Sequence, residues 1–279
     1  MADGAVPAAA ARLGPRAYWQ VAAAGVRARV RRPSTLLLRL LGTGLVILAD
    51  AFGVVLLVER FGSLAGWSAP EVALLVGLGA TGQGLGLLFG DRLEPTYFSE
   101  LIRRGTFDQV LVRPAAPLGW LVASQVEVRF LGRLVVGAGL VGWAADRAGV
   151  DWTAGRLLVA LLAVACCGVL VLSVCVLGAA LTFATVEGSE VVNILIYGGI
   201  SLNAFPVQIY GSVLRFLFVW VVPFALTVYV PALVLLGRAG PPGLPASLLW
   251  ATPAATAGFA GLSVILWRRG LRHYVGAGS

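Results

Sequence analysis

No lysine occurs among the 279 residues, so all 21 basic side chains are arginine. A phosphate-binding loop sets a lysine on nucleotide phosphates, and pyridoxal enzymes form their Schiff base through one. The chain by itself carries neither chemistry. Histidine is nearly absent as well: His273, in the basic tail, is the single one. Acyl or glycosyl transfer within a membrane draws on a histidine or carboxylate constellation at a water-accessible level. The 13 acidic residues are scattered along the chain, so no catalytic residue is assigned. Cysteine is limited to Cys166, Cys167 and Cys175, all within one apolar run. An odd number in that setting excludes a disulfide framework and a metal site, leaving small packing residues.

Charge of either sign is also scarce. Charged residues make up 12% of the chain, against roughly 25% in soluble domains, while hydrophobic residues reach 59% and mean hydropathy is +0.90. Such a chain cannot cover its own surface in water. The formal charge is +8, but the arginines sit in short clusters between apolar runs. That is the pattern of the positive-inside rule rather than of a nucleic-acid surface, so no nucleic-acid partner is expected.

Residues 1–15 are Ala-rich, lack the order of a secretory signal, and are expected to be a disordered tail. Over 16–33, Arg27, Arg29, Arg31 and Arg32 accompany Trp19, Ala23, Val26 and Val30, which share one helical face with Tyr18 beside it. This spacing predicts an amphipathic helix lying in the membrane interface, with those four arginines and Trp19 as anchors. A basic flank that only orients the first span is the alternative.

Residues 34–279 read as a single transmembrane domain. Its first apolar run, 36–58, is long enough for ~30 Å of hydrocarbon at 1.5 Å per residue. It contains Asp50, either deep in the membrane, where a charge costs about 2.5–3.5 kcal/mol and must face protein or water, or nearer the outer surface. Ser68 and Glu71 form a capping box that opens a second span over 71–90. Gly82, Gly86 and Gly90 recur there every fourth residue, which suits close helix approach in lipid. Gly77 to Gly82 also matches G-x-G-x-x-G, but inside an apolar helix that match lacks the strand and turn of a dinucleotide site.

The polar stretch 91–118 predicts a short helix with Tyr97, Phe98, Leu101 and Ile102 on one side and Glu100, Arg103 and Arg104 on the other. Gly105 ends it and Thr106 opens a second cap. Further spans are predicted at 117–145, 157–183, 188–205 and 248–267. The Pro-interrupted stretch 206–236 is expected to be a re-entrant hairpin, although 191–205 could instead lie on the inner surface while 211–236 crosses. Fifteen arginines fall in the N-terminal region, in 91–133 and in the C-terminal tail. Both termini are therefore expected in the cytoplasm, which requires an even number of crossings.

The strings Arg104-Gly-Thr-Phe-Asp108, Leu111-Val-Arg-Pro114, Phe205-Pro-Val-Gln-Ile-Tyr210, Val222-Pro-Phe-Ala225, Tyr229-Val-Pro-Ala232 and the ending Trp267 to Ser279 follow in an order that is informative. With the six-span, all-α pattern they resemble the permeases of bacterial type-2 ABC exporters, in particular the branch with two permeases beside one ATPase. The resemblance covers almost the whole chain.

It implies an elbow helix, a cytoplasmic coupling helix within 96–113 and a re-entrant hairpin before the last span, in the bacterial inner membrane. It implies separate ATPase subunits that hold ATP and Mg, a second permease, related or identical, and membrane lipid as partners. No cofactor is expected on this chain. Glu100, Arg103, Arg104, Asp108 and Arg113, with Glu187 in another turn, are the groups that would meet the ATPase. Gln83, Asn193, Tyr197 and Asn203, polar within apolar helices, are candidates for the substrate path or for helix–helix hydrogen bonds. The implied activity is alternating-access export of an amphiphilic or lipid-like small molecule: a drug, metabolite or glycoconjugate. An ion-coupled transporter or channel built around Asp50 is the alternative, and a membrane-embedded transferase is a weaker one.

Overall fold

A computed structural model of the protein describes residues 14–31, 33–124, 126–183, 198–199, 204–241 and 244–274. Their regular structure is helical, and the one β-type pairing among them is a bridge between Leu64 and Trp67. The expected tail therefore lies almost wholly outside the described residues. So do Arg32, Glu187, Asn193, Tyr197 and Asn203, and most of the span expected at 188–205.

Helix α1 spans Pro15–Val30, α2 Pro33–Phe61 and α3 Ala69–Gly90. After a short 3-10 turn come α4, Pro95–Arg103, and α5, Asp108–Leu111. Then follow α6 (Pro117–Ser124), α7 (Phe130–Arg147) and α8 (Ala154–Thr182). A bent pair, α9 (Ser212–Val221) and α10 (Phe224–Leu236), precedes α11, Thr252–Arg272. Among the described residues four helical stretches are long and apolar enough to cross a membrane, or five if the bent pair counts as one span. The chain is an all-α, multi-pass membrane protein.

α3 stands at the centre, with α2, α7 and α8 packed around it. Its N-terminus is fixed as expected: the Glu71 carboxylate accepts from the Ser68 backbone N–H at 2.7 Å and from its hydroxyl at 3.0 Å. Lipid gives apolar side chains no hydrophobic reason to associate, so close backbone packing has to supply the contact. At Gly86 a Cβ atom would lie 2.6 Å from the Gly168 carbonyl oxygen of α8. α2, by contrast, buries only Gly44, Ile47, Ala51 and Val58, a single helical stripe, and leaves the rest of its leucine-rich surface open.

The continuous helix expected over 117–145 is broken. The chain leaves α6 and restarts at Phe130 because the residues between find partners across the fold. The Glu127 N–H donates to the Leu88 carbonyl at 2.9 Å, on the last turn of α3. The Glu127 carboxylate accepts from Arg29 at 3.2 Å and Arg92 at 3.5 Å, while Arg129 grips Asp91 at 2.8 Å. At the membrane edge, pairing buried charges outweighs continuing the helix. α6 lies instead beside α1, where the Ala116 N–H donates to the Tyr18 hydroxyl at 3.2 Å.

α9 and α10 meet at 66°. Pro223 has no N–H and clashes with the preceding turn, and the helix loosens into π-type turns over Leu217–Val221 just before it. The contacts of the pair lie toward the end of the bundle that carries the 62–68 loop. Tyr229 stacks near Trp67 with ring centres 5.4 Å apart, and Arg238 donates to the Gly66 carbonyl at 2.7 Å and pairs with Glu71 at 3.1 Å. Its deepest part, Thr227, sits against Cys167 near the middle of α8. The opposite end gathers α1, α4, α5, α6 and the C-terminal turn of α11.

Candidate functional site

Two places combine polar chemistry with a defined geometry. The first is the α4–α5 hairpin at the arginine-bearing end. α4 turns Phe98 fully inward and Leu101 and Ile102 partly so, leaving Glu100, Arg103 and Arg104 toward water. Gly105 ends the helix at φ +65°, a left-handed conformation that glycine adopts without strain. Two expectations change here. Tyr97 faces outward, beneath the Arg92 guanidinium at 5.4 Å, rather than joining the inward side. The Thr106 hydroxyl turns back to the Leu101 carbonyl at 3.0 Å and caps no helix.

Beneath the hairpin lies an aromatic cluster drawn from four elements. The Phe98 ring lies 5.3 Å from Phe107, 5.3 Å from Phe183 and 5.4 Å from Trp267, and Phe107 meets Tyr274 edge-on at 5.2 Å. The Tyr274 hydroxyl donates to Asp108 at 3.1 Å. Each such ring pair contributes ~0.5–1.5 kcal/mol beyond area burial. The hairpin is thus fixed to the ends of α8 and α11.

The five residues expected at an ATPase contact separate accordingly. Asp108 is engaged from within by Tyr274. Glu100 lies between Arg104 and Arg103, the latter at 3.0 Å. The Arg104 hydrogen bond, then its charge, holds the Glu100 carboxyl below its ordinary range. Arg113 stacks its guanidinium 4.5 Å above Trp120. What faces outward is Arg103, Arg104 and Arg113 around Val112, which is 84% exposed. Val112 and the aromatic cluster escaped the sequence reading. No local spacing links Phe98, Phe183 and Trp267, which come from separate helices.

The second place is a cavity of about 230 Å³, open on one side, between α2, α3 and α7. Asp50, Gln83 and Arg133 line it with Phe205. Arg133 donates to the Gln83 side-chain oxygen at 2.6 Å. Gln83, a candidate for the substrate path or for a helix–helix hydrogen bond, makes such a bond to α7 and also faces the cavity with two ionisable residues. Asp50 makes no ion pair among the described residues. Among the described residues no group of His, Cys, Asp and Glu could hold a metal.

Of the groups expected as interfacial anchors, Trp19 and Arg27 point outward from α1. Arg29 turns inward to Glu127 and so ties α1 to the bundle. Arg31 is exposed just past the helix.

These features define a multi-pass helical membrane protein with a structured polar hairpin seated on its helix ends. The chain belongs to the ABC-2 family of transporter proteins, whose sequence profile matches residues 45–278. It is accordingly a permease-type membrane component. Neither the curated proteins nor the solved structures include a match to the chain.

Proposed function

We propose that this chain is the permease subunit of an ATP-driven exporter in the bacterial inner membrane. It moves an amphiphilic or lipid-like small molecule out of the cytoplasm by alternating access. ATP and Mg are held by separate ATPase subunits, and a second permease completes the path. Six spans are the reading that the arginine distribution favours, with both termini in the cytoplasm and the bent α9–α10 pair re-entrant. The proline break, the 66° bend and the contacts of that pair with the 62–68 end support the re-entrant reading.

One observation carries the coupling proposal. The α4–α5 hairpin is bound by aromatic packing to α8 and α11, while Arg103, Arg104, Val112 and Arg113 stay outward. A force applied to that surface reaches two membrane helices without an intervening flexible joint. α1 acts as the elbow, and the cavity of Asp50, Gln83 and Arg133 belongs to the path that opens and closes.

Reversing both charges with Arg103→Glu and Arg104→Glu tests the reading. The variant is expected to lose most co-purification with the ATPase encoded beside it, or to hydrolyse ATP without substrate stimulation. Transport by vesicles that contain this chain and no ATPase or nucleotide would refute it.

A further inference from the structure

At the junction of α1 and α2 a second cavity, about 190 Å³, opens beside the turn between α6 and α7. Arg29, Arg39 and Arg129 line it, with Thr35 and Glu127. Its electrostatics follow from the ion pairs around it. Glu127 is shared by Arg29 at 3.2 Å and Arg92 at 3.5 Å, and Asp91 is taken by Arg129 at 2.8 Å. With Arg39 the group counts four guanidiniums against two carboxylates, so two positive charges remain. Arg39 makes no ion pair among the described residues, and it stands exposed in the second turn of α2. The Thr43 hydroxyl donates to the Arg129 carbonyl at 2.7 Å and holds α2 against the turn, which fixes the cavity wall.

Its position decides what the charge is for. The cavity lies where an interfacial helix meets the start of a span, the depth of lipid headgroups. From Thr35, at the cavity wall, Leu38, Leu41 and Leu45 run up one face of α2 at helical spacing, all more than half exposed. A site with excess positive charge and a hydroxyl donor, continued by an aliphatic helix face, suits a phosphate attached to acyl chains. A free phosphate has no use for the leucine face.

We infer that this cavity binds the phosphate headgroup of an anionic phospholipid, with Arg39 as its principal ligand. Arg29, Arg129 and the Thr35 hydroxyl complete the cradle, and the acyl chains run along α2. The site rests on the reading of α1 as an interfacial helix and is separate from the substrate path.

The experiment uses the purified, delipidated full chain in neutral detergent, with melting temperature followed as lipid is added. Phosphatidylglycerol is expected to raise the melting temperature saturably, and phosphatidylcholine is not. Arg39→Gln should weaken the apparent affinity for phosphatidylglycerol about tenfold or more, since a charge-assisted contact is lost. Arg39→Lys keeps the charge and should retain part of that affinity. Arg16→Gln, elsewhere on α1, should respond as the parent does. An equal response of Arg39→Gln and the parent to phosphatidylglycerol overturns the site. Equal stabilisation by phosphatidylcholine does the same, and inorganic phosphate reproducing the full shift reassigns the cavity to a free anion and overturns the lipid.

Discussion

At the scale of single residues, the α4–α5 hairpin separates two jobs that its sequence runs together. Phe107 is fully buried among Phe98, Phe183, Trp267 and Tyr274. Phe107→Ala should cost ~3–5 kcal/mol of stability through the cavity it leaves. Tyr274→Phe, which keeps the ring and removes the hydroxyl's bond to Asp108, should cost ~1.5–3 kcal/mol. Thermal melts of the purified variants give both numbers, and equal losses would mean that the rings contribute no more than the hydroxyl.

Glu100 offers a pH prediction. Its folded-state carboxyl is lowered by Arg104 first and Arg103 after, so its pairing is present above the ordinary value of 4.5 and fades as pH falls through the lower folded one. Retention of the ATPase should therefore not vary through this group between about pH 5 and 8. A retention profile that falls in that window for the parent, and is flat for Glu100→Gln, contradicts the assignment. The outward charges of the hairpin were legible because helical spacing puts Glu100, Arg103 and Arg104 on one side. Engagement of Asp108 by Tyr274 was not, since 166 residues separate them and only folding brings them together.

At the scale of elements, the membrane helices divide by what their glycines face. Gly86 of α3 approaches the Gly168 carbonyl of α8, so Gly86→Val forces the two backbones apart. A loss of about 1–3 kcal/mol is expected, as for overpacking generally. Gly139 of α7 has nothing near its missing Cβ, and Gly139→Ala should be neutral or stabilising by ~0.5–1 kcal/mol. Size-exclusion profiles and melting of the two variants in detergent distinguish them, and similar behaviour would count against the close α3–α8 contact.

The spacing of Gly82, Gly86 and Gly90 made this contact readable, because small residues every fourth position mark one helix face. The break between α6 and α7 was not readable. Apolar periodicity runs on through Leu118, Leu121 and Val128, and the charges of Glu127 and Arg129 look like a helix extended into water. Their partners, Asp91, Arg92 and Arg29, lie on other elements, so the pull that interrupts the helix is tertiary.

At the scale of the whole molecule, membrane residence followed from composition alone, and the two ends of the bundle from the arginine clusters. The orientation proposed for those ends can be measured with a membrane-impermeant thiol reagent. The native cysteines are all buried within α8, so an exposed engineered thiol reports cleanly. Ser63→Cys should label from outside intact cells. Val112→Cys should label only once the membrane is opened or inverted. Labelling of both from the same side defeats the orientation. The polar cavity was far less legible, because Asp50, Gln83 and Arg133 come to line one space only when α2, α3 and α7 assemble.

The helix break has a consequence for the bilayer itself. α7 keeps 18 residues, about 27 Å at the usual rise, whereas its neighbour α2 keeps 29, about 43 Å. α2 is longer than ~30 Å of hydrocarbon requires, so its ends project past that layer or the helix tilts, whereas α7 has no length to spare. A change in bilayer thickness should therefore be felt at α7 before it is felt at α2.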